Sequence, residues 1–226
     1  MLIVLEGLDG AGKSTQLKMV TAYLTSLGRK VEFLHFPRYV APIYGELISK
    51  FLRGDFGSVD QVHPQLVALL FAEDRHDAGV LVRSWLNNGC DVILDRYVYS
   101  NIAYQCAKLP SEEEAQELAD WIREVEYEKY AIPRPDINLF LDVPIDFVDS
   151  RLKASRADDS DRDYLKGKAD IHEADINLQK KVRGQYIRQC ALDPDFVRID
   201  CSGKDGGMLP PGDIFAKIKV QIDNKL

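Results

Sequence analysis

An apolar run of strand length, LIVLE at residues 2–6, leads straight into GLDGAGKST at 7–15. Gly7, Gly12, Lys13 and Ser14 satisfy the spacing G-x-x-x-x-G-K-[ST]. This order leaves few folds open, because a strand must end in a tight glycine loop and turn at once into a helix. Glycine reaches backbone conformations closed to other residues, so successive N–H groups can face one point. A helix N-terminus adds unpaired donors and partial positive charge there. The cradle Gly7, Leu8, Asp9, Gly10, Ala11, Gly12, Lys13, Ser14 and Thr15 therefore suits the phosphates of ATP. Lys13 supplies a charge to the terminal phosphates, and Ser14 offers a hydroxyl to Mg2+. The dinucleotide pattern G-x-G-x-x-G fails, since Thr15 stands where its third glycine belongs.

Further short apolar runs recur at 30–35, 91–95, 137–143 and 196–200, separated by helical patterns. Alternation of this kind predicts a layered α/β fold with a parallel sheet covered by helices on both faces, in one domain. Helices are expected over 13–27, 64–87, 112–130 and 213–224. The first carries the stripe Leu17, Val20, Thr21, Leu24 and Leu27, and Ser111 with Glu114 forms a capping box. Residues 154–175 are dense in charge and read as a surface segment. The net charge of −7 argues against a nucleic-acid polymer as partner. The four cysteines show no C-x-x-C pair, which reads as reduced thiols in a cytoplasmic protein. The longest apolar run, 66–72, is too short to span a bilayer, so no membrane association is expected.

A phosphate cradle names a donor and leaves the acceptor open. Asp95 ends a buried-type strand, at the sheet edge where ligands collect, and is placed to face Mg2+. Arg96 follows it and can reach transferring oxygens. Arg38, in FPR at 36–38, offers a guanidinium fork to a phosphate monoester. Phe71 and Arg75 share a helix face, so that an aromatic plane lies beside a bidentate donor.

The ordered set GLDGAGKSTQ, FPR, LFAEDR, DRYVYSNIAYQ and a charged segment near 155–172 resembles the thymidylate kinases, a family of P-loop nucleoside monophosphate kinases. The resemblance implies a three-layer P-loop kinase fold with a five-stranded parallel sheet flanked by helices, transfer of a phosphoryl group from ATP to dTMP with Mg2+, and a homodimer. It implies that Asp9 contacts the dTMP 3′-hydroxyl, Phe71 stacks on thymine and Arg75 donates to its O4. Asn101 would sit at the base edge, and Tyr104 would exclude a ribose. Arg38 and Arg96 would hold the acceptor phosphate, with Phe36 and Gln105 also at the dTMP site. The segment at about 154–172 would be a lid. This chain has Gly10 where some members carry a P-loop arginine. The stabilising cation then falls to the lid, where Arg156 and Arg162 are favoured over Arg151. Lys13, Asp95, Arg96, Arg156 and Arg162 make up the expected catalytic set, with Ser14 and Asp95 toward the metal. His172 stands where many members have tyrosine.

Three other readings stay open at this level. A kinase of the same fold acting on a nucleoside would need a general base, for which Glu6 is available, but Arg38 then has no phosphate to bind. A GTP-binding switch would need an N/T-K-x-D motif on a late strand, which is missing. A nucleotide-binding module without catalysis would have no reason to keep Lys13, Ser14, Asp95 and Arg96 together.

Overall fold

The computed structural model describes residues 1–155, 163–168, 170–173 and 175–226. Five parallel strands form its sheet: β1 (Leu2–Gly7), β2 (Val31–His35), β3 (Asp91–Asp95), β4 (Ile137–Asp142) and β5 (Phe196–Asp200), in the order β2-β3-β1-β4-β5. Strands β1, β3 and β4 are buried throughout, whereas β2 at the edge is largely half-buried. That is why the inner strands read as continuous apolar runs. In register, Leu5 of β1 pairs with Asp95 and Gly7 with Leu141, so the loop after β1 and the end of β3 emerge side by side.

The helices among the described residues are α1 (Lys13–Ser26), α2 (Tyr44–Leu52), α3 (Pro64–Asn87), α4 (Val98–Cys106), α5 (Glu112–Arg123), α6 (Ile145–Ser155), α7 (Ile176–Leu192) and α8 (Pro211–Asp223). Leu17, Val20 and Leu24 of α1 are buried as the stripe predicts, but Leu27 is half exposed. Ser111 caps α5 by accepting from the Glu114 N–H at 3.2 Å. The stretch expected as one helix over 112–130 is α-helical only to Arg123 and continues as a π-helical turn over Glu124–Lys129. Helix α8 starts at Pro211, two residues earlier than expected, because proline suits a first helical position.

Helix α4 had no sequence signal of its own for a physical reason. All nine of its residues are buried, so its polar side chains Ser100, Asn101, Tyr104 and Gln105 face a cavity inside the fold and mark no solvent side. Around α2 a second apolar cluster forms from Ile48, Phe51, Leu52, Val67 and Leu165. Leu165, Asp170 and His172 are buried, which corrects the expectation that the whole charged segment lies on the surface. Its described part is pinned to α2: Ile171 N–H donates to Leu52 O at 3.0 Å, and Arg53 Nη1 donates to Tyr164 O at 2.6 Å.

Candidate active site

The loop after β1 takes the conformation its glycines allow. Gly10 and Gly12 have φ of +75° and +78°, in the left-handed region, and Gly12 is the N-cap of α1. At Gly10 the space is also taken: a Cβ there would lie 3.0 Å from Arg151 Cβ of α6. Lys13 Nζ donates to Gly7 O (3.4 Å) and Leu8 O (3.1 Å). Burial depresses the Lys13 pKa and Arg96 adds to this, while Asp95, Asp9 and Glu6 oppose it. A cavity over the loop is lined by residues Asp9 to Thr15 together with Asp95, Arg96 and Arg151. Asp95 Oδ2 sits 3.1 Å from His35 Nδ1, and its Oδ1 is buried with no partner. Burial works against Asp95 ionising, yet Lys13, His35 and Arg96 hold it below the usual carboxylate range.

A second cavity opens beside it between α2, α3 and α4. Phe36, Phe71, Arg75, Arg96, Asn101, Tyr104 and Gln105 all line it, as does Asp9. Eight side chains expected at the acceptor site from the sequence are thus brought together. Arg38 is the exception. Its Nε donates to Asp74 Oδ1 (2.8 Å) and its Nη2 to Asp77 Oδ2 (2.6 Å), so its fork is turned to α3. Arg156 and Arg162 lie outside the described residues.

Asp9 joins the two cavities. It accepts from Arg96 Nη2 on Oδ1 (2.5 Å), and from Tyr104 Oη (2.6 Å) and Gln179 Nε2 (3.2 Å) on Oδ2. Burial alone would raise its pKa, but Arg96, Lys13 and these donors carry it well below the usual range. Arg96 itself has φ +66°, a strained conformation for a residue with a side chain. Beneath it Glu6, fully buried, accepts from the N–H groups of Tyr97 (2.9 Å) and Ser100 (3.1 Å) and from Ser100 Oγ (2.5 Å). Arg96 Nη1 in turn donates to Ser100 Oγ at 3.1 Å. One carboxylate therefore holds both the start of α4 and the arginine.

Sequence reasoning missed Gln179, which also donates to His172 O (3.0 Å) and so ties the charged segment to the P-loop. It missed Tyr39, whose ring stacks on Tyr164 at 3.7 Å between centroids, roofing the phosphate side. It missed Asp170 as well, in the acceptor cavity. None of these belongs to a motif, although a buried-type glutamine or aspartate inside a helix or a charged loop is a usable signal. Burial, then Glu173 and Asp9, raises the Asp170 pKa to about 7 from 3.8. A raised carboxyl pKa contributes stability that is complete below about pH 4 and is lost as pH rises through about 7. Asp170→Asn should therefore gain stability over the wild type between pH 5 and pH 8.5, on the order of 1–3 kcal/mol. Thermal unfolding at both pH values checks this, and an unchanged difference would refute it.

A third, mainly apolar slot adjoins the P-loop on its far side, between Phe147 and Arg151 of α6 and the loop Met208–Pro211 before α8. The Arg151 guanidinium lies over the Phe147 ring at 5.3 Å. This slot shares Ala11, Gly12 and Thr15 with the phosphate cavity, so a flat base joined to a polyphosphate can occupy both.

The comparisons with known proteins agree with one another. The sequence model of the family described as "Thymidylate kinase" matches residues 5–204. The thymidylate kinase of Mycobacterium tuberculosis is 32% identical over 191 residues, covering 84% of this chain and 86% of that protein. The human thymidylate kinase is 35% identical over 144 residues, covering 64% and 61%. Among solved structures, the thymidylate kinase of Candida albicans superposes with a TM-score of 0.69 at 25% identity, covering 99% of this chain and 91% of that one.

Proposed function

The chain belongs to the thymidylate kinase family, and from that premise we propose that it transfers the γ-phosphoryl group of ATP to dTMP, yielding ADP and dTDP for DNA synthesis. The observation that carries the reading is the meeting of two cavities at Asp9, Tyr39 and Arg96, one floored by the P-loop and the other walled by Phe71, Arg75 and Asn101. Phosphoryl transfer asks little covalent chemistry of a protein. It asks that two phosphates be aligned, their repulsion cancelled and water excluded.

Lys13 and the loop N–H groups take the β- and γ-phosphates, and the slot at Phe147, Arg151 and Met208 takes adenine. Arg96 takes the acceptor phosphate from below. The donor base thereby lies on one side of the P-loop and the acceptor base on the other, with the reacting oxygens between them. Arg38 completes the phosphate clamp once it leaves Asp77, an exposed partner that competes weakly. Tyr39, stacked on Tyr164, covers the junction. The unpartnered Oδ1 of Asp95, beside Lys13 and near Ser14, fits a hydrated Mg2+. Among the described residues no three acidic, histidine or cysteine side chains form a cage, as is usual for a cation held largely through substrate phosphates. Bound there, Mg2+ supplies charge neutralisation on the phosphates.

The engagement of Glu6 bears on the nucleoside-kinase alternative. Both its oxygens are committed to buried donors, so it does not face an acceptor hydroxyl and serves poorly as a base. A monophosphate acceptor needs none, since its oxygen is already ionised at neutral pH. No helix among the described residues is long and apolar enough to cross a membrane. The four free cysteines suit a reducing compartment, and we place the enzyme in the cytoplasm. We take residues 1–226 as one kinase domain with a lid at about 154–172. The exposed Leu66, Val80 and Leu81 of α3 support a homodimer.

The reading is tested by ADP release from Mg·ATP with dTMP, dUMP, UMP, dCMP and thymidine offered in parallel. Rapid turnover with dTMP, less with dUMP and almost none with UMP or thymidine is expected; preference for thymidine or dCMP would overturn it. Tyr104 stands against the sugar with its hydroxyl on Asp9. Tyr104→Ala should therefore admit ribose, narrowing the dUMP-to-UMP ratio of kcat/KM by about tenfold or more. An unchanged ratio would remove Tyr104 as the gate.

A further inference from the structure

Helix α5 buries Ala115, Leu118, Ala119 and Ile122 on one stripe. Four residues beyond Ile122, where the stripe calls for another apolar side chain, stands Glu126, fully buried in the π-helical turn. A carboxylate is not taken out of water without partners. Its partners here are two side chains of the acceptor cavity. Arg75 grips it with Nε on Oε2 (2.5 Å) and Nη2 on Oε1 (2.7 Å). Asn101 Nδ2 donates to Oε1 as well (3.0 Å), and to Ala68 O of α3 (2.9 Å). Glu126 does not line the cavity itself.

The consequence lies in what those two side chains have left to offer. Both N–H groups of the Asn101 amide are taken by acceptors, so the atom left for a ligand is Oδ1, which is buried and has no partner. The opposite orientation would set Oδ1 against the Ala68 carbonyl and the carboxylate, two repulsive contacts, so the negative charge locks the amide. Arg75, gripped by Nε and Nη2, keeps Nη1 clear of Glu126 and can only donate. The cavity thus shows an acceptor at Asn101 and a donor at Arg75. A pyrimidine carrying N3–H and a 4-oxo group matches that pair, whereas one carrying a bare N3 and a 4-amino group opposes it at both positions.

We infer that Glu126 is the positioning residue that sets base selectivity, by fixing Asn101 as an acceptor and Arg75 as a donor toward the bound base. This rests on the proposed reading of the second cavity as a thymidylate site. Replacing Glu126 with glutamine keeps the shape, removes the charge and sets an N–H group against at least one donor, Arg75 Nε at the Oε2 position or Arg75 Nη2 and Asn101 Nδ2 at the Oε1 position. One of the two contacts that oppose turning the Asn101 amide is then weakened, leaving the Ala68 carbonyl alone to hold it, and the 4-oxo preference falls.

The test measures kcat/KM for dTMP and dCMP with the wild type, Glu126→Gln and Glu126→Asp, each shown to be folded by its thermal transition. A wild type favouring dTMP and a ratio of dTMP to dCMP reduced at least about tenfold in Glu126→Gln are expected. Glu126→Asp keeps the charge but is one methylene short of both partners, so its ratio should fall between the two, and it decides the matter if Glu126→Gln does not fold. A purely structural role lowers both substrates alike. An unchanged ratio in a folded variant, with the wild type still preferring dTMP, would overturn the assignment of Glu126 alone. A wild type that does not prefer dTMP would overturn the thymidylate reading beneath it.

Discussion

Replacing Lys13 with alanine is expected to lower kcat by at least about 10²–10³ and to change dTMP affinity by no more than a few fold. Lys13 Nζ is held on the carbonyls of Gly7 and Leu8, so its position is set before any phosphate arrives. It is buried and lines the phosphate cavity. A fixed cation in such a place acts on charge that develops during transfer, without reorganising at that moment. Lys13 does not line the base pocket, which explains the asymmetry between turnover and acceptor binding. Steady-state rates with Mg·ATP, together with calorimetric binding of dTMP, separate the two. A variant that keeps more than a tenth of wild-type turnover would remove Lys13 from the transfer step.

Arg96→Ala should do comparable damage by another route, lowering kcat/KM for dTMP by about 10³ through loss of the acceptor phosphate clamp. Its guanidinium is oriented by Ser100 and Asp9, and the Asp9 carboxylate in turn holds Tyr104 and Gln179. Removing the arginine leaves the partly buried Asp9 with its chief counter-charge gone, which pushes its pKa up. The backbone offers a control. Arg96 sits at φ +66°, so glycine relieves about 1 kcal/mol of strain that alanine keeps. Arg96→Gly should be the more stable of the two variants and no more active. If glycine restored activity, the residue would matter for the backbone of the turn and not for its charge.

The legible parts of the molecule are those governed by local rules. The P-loop could be read because a strand, a glycine loop and a helix start are all near neighbours in the chain, and because Gly10 and Gly12 occupy backbone conformations that demand glycine. The inner strands could be read because burial on both faces leaves uninterrupted apolar runs in them, Leu2 to Leu5, Val92 to Leu94 and Leu139 to Leu141. DRY and LFAEDR could be recognised as units, and the fold brings Asp9, Phe36, Phe71, Arg75, Arg96, Asn101, Tyr104 and Gln105 to the lining of one cavity. Helix α4 escaped because its polar side chains, Ser100, Asn101, Tyr104 and Gln105, are turned to a cavity and not to solvent. The π-helical turn escaped because the bond from Tyr130 N–H to Val125 O, which widens the helix, has no residue signature.

What the sequence by itself determined was the chemistry: a polyphosphate held at the end of the first strand, and a set of aromatic, cationic and amide groups suited to a nucleotide acceptor. What only the tertiary structure decided was which hydrogen-bonding groups those side chains have left to offer. Arg38 and Arg75 are the same residue type, yet the fold turns one toward Asp74 and Asp77 on α3 and locks the other onto Glu126 at the cavity wall. Asn101 is an acceptor and not a donor because Ala68 O and Glu126, 33 and 25 residues away in the chain, have taken its N–H groups. Residue identity is local, but the direction of a hydrogen bond depends on every neighbour that competes for it, and those neighbours meet only when the chain is folded.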